Sequence, residues 1–107
     1  MSDQAEDLFQ RLVERFSADP SVAPPGEGKG FGAGGLKVNG KIFAMLSKGE
    51  LVVKLPRKRV DELVDTGTGT RFDPGHGRVM KEWVSIPPKQ ASEWTALADE
   101  ARAFVGA

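Results

Sequence analysis

A tight-turn signal in the middle of the chain constrains the fold more than any other feature. Asn39-Gly40 lies between the first two of three apolar runs, and a Lys-Gly pair lies between the second and the third. Asn-Gly is typical of turns between antiparallel strands, because both residues tolerate a positive φ. We therefore expect an antiparallel meander whose middle strand, apolar on both faces, is central. The expected strands are 31–38, 41–47 and 50–55.

Helical periodicity brackets this meander at both ends of the chain. Apolar residues recur at i, i+3 and i+4 spacing from Asp3, where Glu6 can complete a cap, until shortly before Pro20. The same spacing recurs after Pro88 and continues to about Gly106. The second stripe includes Trp94, which we therefore assign to the core.

The chain after the meander predicts one short helix and a second hairpin. Pro56 suits the start of a helix that runs through Val64, and Gly67 suits its end. Two further strands, 70–73 and 79–86, are joined by a Pro-Gly-His-Gly loop. The expected fold is a single α+β domain over residues 1–107, with the order α-β-β-β-α-β-β-α and a five-stranded antiparallel sheet. Residues 20–30, rich in Pro and Gly, are expected to form a flexible loop.

Composition and charge indicate a compact domain without disulfides. The 107 residues are 39% apolar and 28% charged, with no cysteine and a net charge of zero. The charge is uneven: residues 1–20 and 82–107 carry −3 and −2, whereas residues 21–55 and 56–81 carry +3 and +2. The acidic start lacks the order of a signal peptide, and no apolar run could span a membrane, so we expect a cytoplasmic protein.

Residues that often mark catalysis lack the context that catalysis needs. Residues 30–35 match Gly-x-Gly-x-x-Gly, but they lead into a strand, whereas a dinucleotide-binding loop follows a strand and opens a helix. His76 is the one histidine, and the sequence offers no group to orient it as a base. We therefore predict a non-enzymatic protein without cofactor or metal. A small-ligand carrier or minor enzyme using the glycine loop and His76 is the least favoured alternative.

A run of three cations at the start of the middle helix is the strongest candidate for a binding site. Cations there oppose the helix dipole, at about 0.3–1 kcal/mol each at low salt. A bound anion or acidic partner would offset that cost, and so would pairing with Asp61, Glu62 or the acidic terminal helices. Both interpretations stay open. The candidate anion- or partner-binding residues are Arg57, Lys58, Arg59, Arg71, Arg78 and Lys81.

Alternation along the predicted strands gives the sheet a second apolar face. If the terminal helices cover one face, the short middle helix would cover only part of the other. The remainder implies a partner, a pocket or a homodimer interface, with cover by the 20–30 loop as the alternative. The candidate interface residues are Phe43, Met45, Val52 and Trp83.

Three short motifs of the meander carry a family resemblance. Phe31-Gly32 enters the first strand, Gly40-Lys41 enters the second, and Gly49-Glu50-Leu51 begins a third that ends in lysine. This pattern resembles the TfoX N-terminal domain family, and the strand containing residues 81–84 looks like that of YjbR-like proteins. The order of elements is similar to the secretion-chaperone-like fold. The resemblance implies regulation or DNA binding and no catalytic residues.

The leading hypothesis is a small cytosolic interaction or regulatory module. Its partner would be another protein or a second copy of the chain, bound through the candidate cations and the apolar face. The alternative is a weak DNA-binding module that uses the same basic patch, with strongly salt-dependent affinity.

Overall fold

The computed structural model describes residues 4–23, 35–47, 49–72 and 80–106. In these ranges the chain forms three α-helices and six strands. The predicted α+β class is confirmed. None of the helices in these ranges has the length and apolar content needed to cross a membrane. The helices are α1 (Gln4–Phe16), α2 (Arg57–Asp65) and α3 (Ala91–Val105), with a 3-10 turn at Pro88–Gln90 before α3. The strands are β1 (Val22–Ala23), β2 (Leu36–Val38), β3 (Lys41–Ser47), β4 (Glu50–Lys54), β5 (Thr70–Phe72) and β6 (Met80–Ile86).

All strands belong to one antiparallel sheet of order β1-β2-β3-β4-β6-β5. The meander and the second hairpin are confirmed, but the prediction of five strands is wrong. The sixth strand, β1, lies inside the segment 20–30 that was expected to be a loop. The predicted cap at Asp3, the first four residues of the predicted first strand and the loop at 74–77 lie outside the described residues.

A turn centred on Asp19 explains why β1 forms in a Pro-rich segment. The Asp19 carboxylate accepts a hydrogen bond from the Ser21 backbone N–H at 3.0 Å, and its carbonyl accepts one from Val22. The Arg102 guanidinium donates to the same carboxylate at 2.9 Å, and this contact, with the Ser21 bond, lowers the pKa of Asp19. The turn delivers Val22 opposite Val38 on β2. A side chain distant in sequence, Arg102, therefore helps to fix β1.

The β2–β3 hairpin has the predicted turn and an unpredicted bulge. Asn39 and Gly40 have φ values of 52° and 83°, as a two-residue hairpin turn requires. Leu36 pairs with Ala44 but Lys37 pairs with Ile42, so Phe43 is an extra residue on β3. The bulge places Phe43 on the same side as Ala44, in the core beneath the helices. Its ring meets that of Phe16 edge-on, with centroids 5.2 Å apart.

All three helices pack on one face of the sheet. Their buried side chains join those of β2, β3, β4 and β6 in a single cluster. Trp94 lies in this cluster as predicted, and its indole N–H donates to the Pro87 carbonyl at 3.2 Å. The expectation that the middle helix covers part of the opposite face is wrong, because Val60 and Leu63 of α2 belong to the same cluster as Trp94.

The end of α2 fixes the path into β5. The N–H of Gly67 bonds to the carbonyl of Val64 and that of Thr68 to Leu63, and Gly67 has a φ of 78°. These bonds form a Schellman motif, and the prediction that Gly67 ends the helix is confirmed. The next glycine, Gly69, has a different role: a Cβ there would lie 2.6 Å from Ile86 Cδ1 and 2.7 Å from the Ser85 carbonyl oxygen. The backbone entering β5 touches β6 directly.

We predict that Gly69→Ala lowers the free energy of unfolding by about 3 kcal/mol, because the added methyl group must displace backbone as well as side-chain atoms. Urea unfolding followed by tryptophan fluorescence measures the change. The neighbouring Thr70→Ala, at an exposed position, should stay within about 0.5 kcal/mol of the unmodified protein. Equal stability of the two variants would contradict the close approach.

Candidate functional site

One end of the sheet collects cations from three elements. β4 ends at Lys54, and α2 begins three residues later with Arg57 and Lys58. β6 runs antiparallel to β4, and the N–H of Leu55 donates to the carbonyl of Glu82 at 3.0 Å. Lys81 is therefore at the same end. We call Lys54, Arg57, Lys58 and Lys81, together with Trp83, the basic end of the sheet.

The first turn of α2 has an unusual charge order for a helix. Arg57, Lys58 and Arg59 open it, Pro56 at the N-cap provides no side-chain hydrogen bond, and no acidic residue lies in the first turn. The carboxylates Asp61 and Glu62 come later, so the charges run against the helix dipole. α2 is held instead by its buried side chains.

Two of the predicted site cations are bound to carboxylates. Arg59 donates to both oxygens of Glu100 on α3, at 3.0 and 3.1 Å, and lies 3.4 Å from Glu62. The hydrogen bond with Glu100 is the main reason that the pKa of Arg59 is raised. Arg71 on β5 pairs with Asp61 of α2. For these two residues the structure follows the pairing interpretation rather than the anion-site interpretation.

These pairings leave Arg57 and Lys58 without their natural partners within the helix. Residues four apart on a helix lie side by side, so Asp61 would be the partner of Arg57 and Glu62 that of Lys58. Both carboxylates are engaged elsewhere, by Arg71 and Arg59 respectively. Within the described ranges no ion pair forms to Arg57 or Lys58, and both are exposed. Among the described residues, no carboxylate neutralises these two cations.

The remaining predicted cations divide between the basic end and the undescribed part of the chain. Lys81 is exposed at the start of β6. Arg78 lies outside the described residues, as do His76 and residues 30–34 of the glycine motif. Of the six predicted cations, Arg57, Lys58 and Lys81 therefore lie toward the same end of the sheet.

Sequence reasoning missed Lys54. It lies opposite Trp83 in the β4–β6 register, and its Nζ is 5.9 Å from the centre of the indole ring, a cation–π contact. The sequence does show a lysine at the end of an apolar strand and a tryptophan in a later strand. Pairing them requires the register between β4 and β6, which are separated by α2 and β5.

The predicted interface residues do not all share a face. Met45, Val52 and Phe72 form a second, smaller cluster on the face opposite the helices, with Trp83 packed against it. Phe43 is not among them, because the β3 bulge turns it into the main core. Val52 is 0% exposed and Met45 4%, so of the four predicted residues only Trp83 retains substantial exposure.

Two kinds of chemical group, metal ligands and a buried hydroxyl, can be placed among the described residues. Across residues 4–23, 35–47, 49–72 and 80–106, no group of three or more His, Cys, Asp or Glu side chains is placed to hold a metal ion. Ser85, buried at 8% exposure, donates to Glu50 at 2.5 Å, so its hydroxyl is committed to that carboxylate. In comparisons with known protein families, curated proteins and solved structures, nothing matches the chain.

The different roles of neighbouring arginines in α2 give a stability prediction. Arg59→Gln removes the bidentate contact with Glu100 and should lower the free energy of unfolding by about 0.5–1 kcal/mol. Arg57→Gln removes a cation that has no partner and opposes the helix dipole, so stability should stay within about 0.5 kcal/mol. Urea denaturation of both variants at one salt concentration measures the difference. A larger loss for Arg57→Gln would show that Arg57 has a structural partner.

Proposed function

We propose that this chain is a non-catalytic interaction module of regulatory type that binds an anionic partner through the basic end of the sheet. One observation carries the proposal: the carboxylates that could neutralise Arg57 and Lys58 are committed to Arg71 and Arg59. The chain thus keeps a pair of exposed cations at a helix start where they do not help the fold. Lys54 and Lys81 extend the charge onto the sheet.

The family resemblance of the sequence supports a regulatory rather than a catalytic role. We keep the TfoX N-terminal or YjbR-like assignment, the secretion-chaperone-like fold and a cytoplasmic location as parts of this proposal. Three helices on one face of an antiparallel sheet are compatible with that fold.

Self-association through the apolar sheet face is less favoured than binding at the basic end. Phe43 lies in the main core, and Met45 and Val52 are at most 4% exposed, so little apolar area remains there for a second copy to bury. A symmetric dimer through the basic end would place like charges opposite each other, because a two-fold interface brings the same patch from both copies together.

The charge-reversed double variant Arg57→Glu/Lys58→Glu tests the proposal. Reversal favours the helix dipole but adds like-charge neighbours at Asp61 and Glu62, and these effects nearly offset each other, so stability should change by less than about 1 kcal/mol. Retention on a heparin column at low salt should be lost. The matched control Arg11→Glu/Lys89→Glu reverses two exposed cations outside the basic end and should be retained longer than Arg57→Glu/Lys58→Glu. A protein that is not retained at low salt, or equal retention of the two variants, would refute the proposal.

DNA binding is the second candidate, favoured by the same unpaired cations. The basic end can contact at most four phosphates, through Lys54, Arg57, Lys58 and Lys81. The logarithm of the affinity for duplex DNA should therefore fall with the logarithm of salt concentration with a slope no steeper than about −4. Fluorescence anisotropy with a labelled duplex, at salt concentrations from about 20 to 200 mM, measures this slope. The affinity itself should be weak, in the range of non-specific DNA binding. Absence of binding at the lowest salt would remove this candidate.

A further inference from the structure

The strand β1 is joined to the sheet by a very short pairing. It has two residues, Val22 and Ala23, and among the described strands it pairs with β2 alone. Val22 is half-buried against the main core and Ala23 is exposed, so docking of the strand buries little apolar surface. The N–H of Asn39 donates to the Ser21 carbonyl at 3.0 Å and closes the pairing at one end. We call residues 19–23, the turn and β1 together, the edge segment.

The preceding helix α1 is held to the fold in a different way. Its buried side chains are part of the main core, and they are Ala5, Phe9, Leu12 and Phe16. Burial of apolar side chains is the main stabilising term in folding, and it anchors α1 independently of β1. The edge segment can therefore leave the sheet while α1 stays packed.

A salt bridge attaches the edge segment to α3. The Arg102 guanidinium donates to both oxygens of the Asp19 carboxylate, at 2.9 and 3.4 Å. The side chains of Arg102 and Asp19 are 30% and 24% exposed, the lowest pair of values among the salt bridges of the described residues. Salt screens such a shielded pair less than an exposed one. Because the same carboxylate accepts the Ser21 N–H, the salt bridge also holds the turn that leads into β1.

The end of α3 places Arg102 beside β2. At Gly106, which ends the helix, a Cβ would lie 2.9 Å from Val38 Cγ2 and 3.0 Å from a terminal nitrogen of Arg102. The backbone there lies against both the guanidinium and the strand with which β1 pairs. Val38 is fully buried, and the buried face of α3 belongs to the main core. α3 and β2 are thus the fixed side to which the edge segment is attached.

We propose that the edge segment is a latch, which opens separately from the rest of the fold and is held closed by the salt bridge between Asp19 and Arg102. Opening leaves α1 and the main core in place and bares the outer edge of β2. A bare edge presents backbone donors and acceptors with which an extended segment of another polypeptide can pair. The latch regulates access to that edge, and it does not depend on the basic end of the sheet.

Amide hydrogen exchange, followed by NMR at low and non-denaturing urea concentrations, tests the latch. The Asn39 amide reports the opening of β1, because its acceptor is the Ser21 carbonyl. The amides of β4, which is paired on both sides, report the opening of the whole sheet. In the unmodified protein the Asn39 amide should exchange faster than those of β4 and depend less on urea, because a local opening exposes little surface. Equal rates with equal urea dependence would overturn the proposal.

Two variants test whether the salt bridge holds the latch closed. Arg102→Gln should speed exchange of the Asn39 amide about threefold to tenfold, since it removes the salt bridge and leaves the pairing with β2. Asp19→Asn, which keeps an acceptor for the Ser21 N–H, should act in the same direction. The double variant should exchange about as fast as the faster single variant, because both changes remove the same interaction.

Arg15→Gln is the matched control. It removes a salt bridge that also joins α3 to the α1 side of the fold, between Arg15 and Asp99, but neither residue belongs to the edge segment. This variant should leave the Asn39 exchange rate unchanged. An unaltered Asn39 rate in Arg102→Gln, or an equal increase in Arg15→Gln, would refute the role of Asp19 and Arg102 in the latch.

Discussion

The close seating of α3 on the centre of the sheet is the contact on which the rest of the fold depends. Ala98 and Ala101 are fully buried, and such small side chains allow the helix to lie near β3 and β4. Residues 99–102 of this helix also form three salt bridges to other parts of the chain. They are Asp99 with Arg15 of α1, Glu100 with Arg59 of α2, and Arg102 with Asp19 before β1. Each is a modest surface pair by itself. Together they orient the elements that the buried face of α3 brings close.

Local patterns predicted the elements of this protein well, and long-range contacts account for what they missed. The Asn39-Gly40 turn, the glycine stop of α2 and the stripe through Trp94 all depend on neighbours within a few residues. β1 was missed because its turn is reinforced by Arg102, more than 80 residues away. Strict alternation misplaced Phe43, since a bulge shifts the phase of side chains by one residue without a sequence mark. The packing of all three helices on one face of the sheet could not be predicted from amphipathicity. An amphipathic pattern shows which side of a helix is buried, but not which face of the sheet that side covers.

The same distinction applies to the candidate site. A run of three cations was evident in the sequence, but which of them remain unpaired depends on two carboxylates and the residues that reach them. Asp61 and Glu62 are close to Arg57 and Lys58 along the helix, yet they form salt bridges with Arg71 and Arg59 respectively. The contribution of Lys54 likewise depends on strand register. The charge of the basic end therefore depends on tertiary structure. Arg59 belongs to the run of cations in the sequence but is paired with Glu100, whereas Lys54 lies outside that run and still contributes.

The two outermost strands of the sheet are short in the described part of the chain, with two residues in β1 and three in β5. Over the described residues, each offers a brief row of backbone donors and acceptors to another chain, and the charged residue Arg71 lies in β5. Short, charged edges are a common defence against intermolecular strand pairing. A chain with no net charge lacks the electrostatic repulsion that keeps many proteins dispersed. Among the described residues, short edges rather than net charge are then the feature that opposes strand pairing between copies of the chain.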